Sequence, residues 1–67
     1  MQIPVQEVEK RMIIDDGKDQ VIIDETWPDQ GKGLGVVLKG QLIKDGSIYH
    51  RRFLNPNTLV ECTGRNL

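Results

Sequence analysis

The sequence predicts an all-β fold built from short antiparallel strands. Three observations support this prediction: several short segments are rich in strand-forming residues, sequences typical of tight turns separate them, and an Asp45-Gly46 pair lies between two of them. An Asp-Gly pair between two apolar runs is the strongest short-range signal for a β-hairpin. With 67 residues, of which 37% are hydrophobic, the chain is expected to form one small domain over residues 1–67.

The first element is ambiguous. Val5, Val8 and Met12 have helical spacing, whereas Val8, Met12 and Ile14 also fit one face of a strand. The Asp-Gly turn chemistry that follows, in residues 15–19, favours a strand over about residues 5–14 that leads into a hairpin. A short helix over residues 5–11 is the alternative.

The remaining elements follow in order along the chain. Residues 20–27 contain several β-branched side chains and predict a second strand, and residues 28–33 have the composition of a turn. Residues 34–44 and 47–54 flank the Asp-Gly pair and predict the central hairpin. Asn55-Pro56-Asn57 predicts another tight turn, and residues 58–63 predict a last short strand.

A two-residue hairpin loop at Asp45 and Gly46 would fix the pairing of the central strands. Counting outwards, it places Leu42 opposite Tyr49, with the other pairs following in step. Further from the turn it pairs Gly40 with Arg51, Lys39 with Arg52, Leu38 with Phe53 and Val37 with Leu54. This register puts an apolar set of side chains on one face, namely Val36, Leu38, Leu42, Tyr49 and Phe53. The other face is polar and basic in its middle, with Lys39, Gln41, His50 and Arg52.

Gly40 lies on the predicted core face, in the interior of a strand. Glycine at such a position often marks a bulge or a sharp bend. Five short antiparallel strands joined by tight connections form a meander, and a sheet of this size usually curls so that its edges are protected. We therefore expect a small five-stranded antiparallel meander curled into an SH3-like partly open barrel. The resemblance is one of architecture and carries no function.

Composition excludes several classes of function. No apolar run approaches the roughly 20 residues that span a bilayer, and no secretory signal is recognisable at the N-terminus. A single cysteine cannot form an internal disulfide, which favours the cytoplasm. Cys62 and His50 are the only residues of their kind, so a zinc site is not expected, and we expect no cofactor and no catalysis.

Charge is distributed unevenly along the chain. Residues 1–33 carry four basic and eight acidic side chains, a net charge of −4, whereas residues 34–67 carry five basic and two acidic ones, a net charge of +3. This asymmetry predicts an electrically polarised molecule with a local basic face.

Two other clusters have plain interpretations. The glycine-rich stretch of residues 31–35 resembles a phosphate loop, but a strand rather than a helix is expected to follow it, so a simple connection is favoured. Asp15, Asp16 and Asp19 lack the spacing of a calcium loop, and turn formation and solubility explain them, with weak cation binding as the alternative.

The predicted functional residues are a tryptophan and a basic group: Trp27, Lys39, His50, Arg51 and Arg52. Trp and Arg are the residue types most enriched among the residues that dominate binding energy at interfaces. The leading hypothesis is a small non-catalytic binding or adaptor module that docks onto a protein partner. A nucleic-acid-binding module using Lys39, His50, Arg51 and Arg52 is the alternative, and homo-oligomerisation through edge strands is a third. The plainest interpretation is a solvated face whose cations pair with the acidic half of the chain. For Trp27 itself, the bulk of the side chain favours a lid on the core, and an exposed residue that contacts a partner is the alternative.

Overall fold

The computed structural model describes residues 1–29 and 35–65, which form one antiparallel sheet. Its strands are β1 (Gln2–Pro4), β2 (Met12–Asp15), β3 (Gln20–Pro28), β4 (Val36–Leu42), β5 (Ile48–Phe53) and β6 (Leu59–Arg65). Their order across the sheet is β1-β6-β2-β3-β4-β5. The all-β class is confirmed, and β2 to β5 form the expected meander. The number of strands was wrong, because the sheet has six strands and not five.

The additional strand arises at the N-terminus, where the expected strand over residues 5–14 was wrong. β1 pairs with β6, and a single 3-10 turn over Val5–Glu7 follows it. Val5 and Val8 both lie in the core, and the N–H of Val8 donates to the carbonyl of Val5. Two side chains three residues apart reach the same side of the backbone in a helical turn but not in a strand. The turn is therefore what allows both valines to be buried.

The central hairpin is present, but its predicted two-residue loop and its register were wrong. Gly40 pairs with Tyr49 and Lys39 with His50, a shift of two residues. The loop comprises residues 43–46: the N–H of Leu42 donates to the carbonyl of Ser47 at 2.9 Å, and that of Gly46 to the carbonyl of Leu42 at 2.8 Å. The N–H of Ile43 instead donates to the carbonyl of Gln20 on the neighbouring strand. This bond withdraws Ile43 from the hairpin ladder and lengthens the loop.

The faces of the hairpin were nevertheless predicted correctly. Because side chains alternate along a strand, an even shift in register leaves every side chain on its original face. Val36, Leu38 and Phe53 are buried in the core, with Leu42 and Tyr49 packed against it. Lys39, His50 and Arg52 are exposed on the opposite face.

The bulge expected near Gly40 is also present, on the strand that faces it. The pairing between β3 and β4 shifts after Ile23, so that Ile23 pairs with Gly40 and Glu25 pairs with Lys39. Asp24 is the extra residue. A Cβ atom on Gly40 would lie 2.0 Å from the carbonyl oxygen of Ile22, so the close approach of the two strands requires glycine.

The core lies on the concave face of the sheet. Five of its side chains are almost fully enclosed: Val5, Ile14, Val21, Ile23 and Leu38. In the described part of the chain no second layer covers this face, so the sheet encloses the core by curling over it. The sheet is not closed, since β1 and β5 are its two ends. No helix within the described ranges has the length and apolar character needed to cross a membrane.

Candidate docking face

The convex face of β3, β4 and β5 gathers four of the five predicted functional residues. Cross-strand pairing forms one row from Trp27, Val37 and Arg52, and a second row from Glu25, Lys39 and His50. We call this surface the docking face and define it by Trp27, Val37, Lys39, His50 and Arg52. The bulge in β3 is what brings Trp27 here. In a regular strand without the bulge, Trp27 would lie on the inward-facing side with Ile23, four residues before it.

Two rings stack across the middle strand of the docking face. The Trp27 and His50 ring centroids are 6.1 Å apart, with 27° between the ring planes. Val37 lies between their strands and is only 6% exposed, although it is not a member of the main core cluster. The two rings and Arg52 surround Val37 in an open groove of about 620 Å³ that Pro28 and Asp29 also line. Trp27 is 38% exposed, so it covers Val37 without being a core residue itself.

An ion pair holds Arg52 at one end of this groove. Its Nε lies 2.9 Å from Oδ2 of Asp29, a carboxylate that is only 3% exposed. The backbone N–H of Asp29 donates to the carbonyl of Gly35 at 2.8 Å, which fixes the position of Asp29 directly after the end of β3. Asp29 is a site residue that sequence reasoning missed, because it resembled the other acidic residues of a polar stretch. Its place directly after Trp27-Pro28 at a strand end was the available signal.

Arg51 lies on the opposite face of the sheet from the docking face, since neighbouring residues of a strand point in opposite directions. Its guanidinium lies 4.7 Å from the centre of the Phe53 ring, and its Nη1 is 3.3 Å from Oδ2 of Asp16. This contact links the edge strand β5 to the turn between β2 and β3 across the concave side. The structure therefore gives Arg51 a bracing contact and does not bring it together with the other four residues. Its binding role stays a prediction.

Asp16 and Tyr49 form a small polar cluster with Arg51. Burial alone would raise the pKa of the Asp16 carboxyl, but N–H groups of Asp19 and Lys18, the Tyr49 hydroxyl and the Arg51 charge together lower it. Burial and then the charge of Asp16 raise the pKa of Tyr49 to about 12. The Asp16–Arg51 ion pair links β5 to the turn between β2 and β3, and the Asp16 carboxylate also accepts the backbone N–H groups that shape this turn.

The other candidate sites carry less chemistry. The carboxylates of Asp15 and Asp16 accept backbone N–H groups within their own turn, as expected of turn-forming residues. Among residues 1–29 and 35–65, no three His, Cys, Asp or Glu side chains are placed to hold a metal ion together. Cys62 is a half-buried free thiol in β6. Most of the glycine-rich stretch, residues 31–34, lies outside the described residues.

In the part of the chain that the structure describes, four side-chain ion pairs connect the two oppositely charged halves. Each joins an acid from residues 1–33 to a base from residues 34–67: Asp19 to Lys44, Asp16 to Arg51, Asp29 to Arg52 and Glu9 to Arg65. Folding therefore interleaves the charges that the sequence separates. The plain interpretation, in which the cations pair with the acidic half, describes Arg51 and Arg52 well.

Comparison with protein-family models, with curated proteins and with solved structures found no match to this chain.

Proposed function

We propose that this chain is a small non-catalytic adaptor module that docks onto a protein partner through the docking face. The observation that carries this proposal is the stack of Trp27 on His50 beside an Arg52 anchored to the buried Asp29. Trp and Arg dominate binding energy when they are held ready on a rigid surface, because little conformational entropy is then lost on association. Antiparallel strands supply that rigid support here.

The compartment and the type of fold belong to the same proposal. We place the module in the cytoplasm, where a half-buried free thiol such as Cys62 remains reduced. We also assign the curled six-stranded sheet to the SH3-like partly open barrels. The support for this assignment is that a single sheet buries its own concave face around Leu38 and Ile23.

A nucleic-acid-binding module is the second candidate. The observation that favours it is that the Trp27 ring shares a face with Lys39, His50 and Arg52, so stacking and phosphate contacts could occur together. Arg51 faces the other way and would not join this surface.

A capture experiment tests the proposed function. The immobilised protein is exposed to lysate from its native source, with and without nuclease, beside Trp27→Ala and a matched Arg65→Ala variant. Arg65 lies on β6 in an exposed ion pair with Glu9, away from the docking face. Circular dichroism confirms that each variant is folded.

The expected result is a protein retained despite nuclease by wild type and by Arg65→Ala, and lost with Trp27→Ala. Retention that nuclease abolishes, and that weakens steeply as salt rises, would transfer the proposal to nucleic acid. Equal retention by Trp27→Ala would show that the docking face is wrong. If the immobilised protein retains nothing from the lysate, the adaptor hypothesis is wrong.

A further inference from the structure

Strand β5 is a free edge of the sheet that adjoins the docking face. In the described part of the chain its only strand neighbour is β4. The opposite edge, β1, has three residues and includes Pro4, whereas β5 has six residues and no proline. An unprotected edge strand presents backbone N–H and C=O groups that can pair with another strand. Of the two edge strands, β5 is therefore better suited to pair with an added strand.

The hairpin geometry shows which backbone groups β5 presents. Leu42 and Ser47 are opposite each other and hydrogen bonded, through the N–H of Leu42 and the carbonyl of Ser47. In an antiparallel pair, hydrogen-bonded and non-hydrogen-bonded residue pairs alternate. Tyr49 and Arg51 consequently bond to β4, while Ile48, His50 and Arg52 direct their N–H and C=O groups to the free edge.

The side chains of these same three residues lie on the convex face. Ile48 is 79% exposed and Arg52 is 54% exposed in spite of its contact with Asp29. An added strand would place its directly opposite side chains on that face as well. β5 has two arginines, one histidine and no acidic residue. Charge complementarity therefore favours acidic side chains opposite His50 and Arg52 and an apolar one opposite Ile48.

The same charges argue against a second copy of this chain as the occupant. Two β5 strands paired antiparallel would bring Arg51 and Arg52 of one copy against the basic residues of the other. Like charges directly opposite each other destabilise a strand pair. The edge is thus suited to a strand of opposite charge.

We propose that β5 binds an extended acidic segment of the partner protein as a seventh strand, with its acidic side chains beside Arg52 and His50. This inference rests on the proposed function and specifies the chemistry of the partner. Backbone hydrogen bonds to Ile48, His50 and Arg52 supply affinity, and the alternating side chains supply specificity.

The test uses the full chain and a synthetic peptide, capped at both ends, with the sequence Thr-Glu-Thr-Glu-Thr-Val-Thr. Paired antiparallel, it places its two Glu opposite Arg52 and His50 and its Val opposite Ile48. Amide hydrogen exchange is followed by nuclear magnetic resonance. We expect binding to slow exchange at Ile48, His50 and Arg52, whereas Tyr49 and Arg51, already bonded to β4, change little.

Three controls separate strand addition from simple charge attraction. A peptide with Lys in place of Glu is expected to bind at least about tenfold more weakly. A peptide that is N-methylated at the residues whose N–H groups face β5 keeps its charge but cannot donate backbone hydrogen bonds to β5. Its affinity should fall by a similar factor. Ile48→Pro removes an edge-facing N–H and no bond to β4, so it should weaken binding by about tenfold relative to Ile48→Ala.

Each other outcome overturns the inference in a distinguishable way. Peptide-induced shifts at Trp27 and Val37 without protection at the edge amides would exclude strand addition and leave the docking face in place. Protection at β5 that grows with protein concentration alone would make a second copy the occupant. Absence of peptide binding, while Trp27-dependent retention from lysate persists, would overturn this inference only. Absence of both would remove the proposed function as well.

Discussion

Gly40 is the residue on which the shape of the sheet depends most directly. A Cβ atom there would lie 2.0 Å from the carbonyl oxygen of Ile22 and within 3.0 Å of two further backbone atoms of β3. Backbone cannot move aside as a flexible side chain can, and the neighbouring Ile23 is fully buried. The close approach coincides with the bulge at Asp24, which turns Trp27 to the convex face. One glycine thus links the bend of the sheet to the composition of the docking face.

We predict that Gly40→Ala lowers the free energy of unfolding by about 3 kcal/mol, because the added methyl group forces the two strands apart. The matched control is Gly64→Ala in β6, where nothing lies within 4 Å of the added Cβ. Its effect should be within about 1 kcal/mol of zero. Urea denaturation of both variants measures the difference. Equal free energies of unfolding for the two variants would show that the backbone of β3 does not contact Gly40 closely in solution.

At the scale of the elements, alternation along the strands was predictable and loop geometry was not. The two faces of the central hairpin follow from a two-residue period that any even register preserves, so Leu38 and Phe53 were correctly assigned to the core. The loop length depends on the bond from Ile43 to Gln20, a contact between elements that the local Asp-Gly signal does not contain. At the N-terminus, burial of Val5 is achieved by a 3-10 turn over Val5–Glu7, where the local pattern had predicted a strand.

The candidate site was predictable to a similar extent. The face that contains Lys39, His50 and Arg52 follows from alternation, whereas the position of Trp27 depends on the bulge. Arg51 was included because it is adjacent in sequence, and the same alternation places it on the other face. Asp29 was missed because its burial and its contacts with Gly35 and Arg52 join residues that are distant in sequence.

We predict that Arg52 and Asp29 are energetically coupled by about 1–2 kcal/mol in a double-mutant cycle of Arg52→Ala and Asp29→Ala. The coupling is expected because the carboxylate is removed from water, while the half-exposed guanidinium limits its size. The control cycle is Arg65→Ala with Glu9→Ala, a pair exposed on both sides, which should give less than about 0.5 kcal/mol. Unfolding free energies of the single and double variants supply both values. Equal coupling energies in the two cycles would show that Asp29 does not anchor Arg52 more strongly than an exposed ion pair would.

At the scale of the whole molecule, the fold joins an acidic half to a basic half. The four ion pairs that cross between the halves tie the edge strand β5, the hairpin loop and β6 to the N-terminal part of the chain. The Glu9–Arg65 pair is exposed on both sides and contributes little. Two pairs differ from plain surface pairing: Arg52 with the buried Asp29, and Arg51 with Asp16. Asp16 and the nearby Tyr49 also have displaced pKa values, on the carboxyl and on the phenol. The alkaline side of the pH dependence of stability, set by Tyr49, should therefore report on this link.

We predict a plateau of stability between about pH 5 and pH 9 with a decline on each side. A carboxyl whose pKa is lowered by folding, such as that of Asp16, contributes above its ordinary value of 3.8, and this contribution disappears as pH falls through the lower folded value. Tyr49, the single tyrosine, has its pKa raised from 10.0 to about 12, so stability should decline as pH rises between these values. Tyr49→Phe should flatten the alkaline decline, by about 2 kcal/mol or less.

The decisive comparison is between Asp16→Asn and Asp45→Asn, measured by urea denaturation across the pH range. Both carboxyls have lowered pKa values, that of Asp45 because the N–H and hydroxyl of Ser47 bond to it. Both substitutions should therefore flatten the acidic decline. Only Asp16→Asn removes the negative charge beside Tyr49, so only it should also lower the phenol pKa towards 10, seen directly in the ultraviolet absorbance of phenolate. If the pKa of the Tyr49 phenol is the same in the two variants, the link from β5 to the β2–β3 turn does not form as described. Packing alone then holds β5 against this turn.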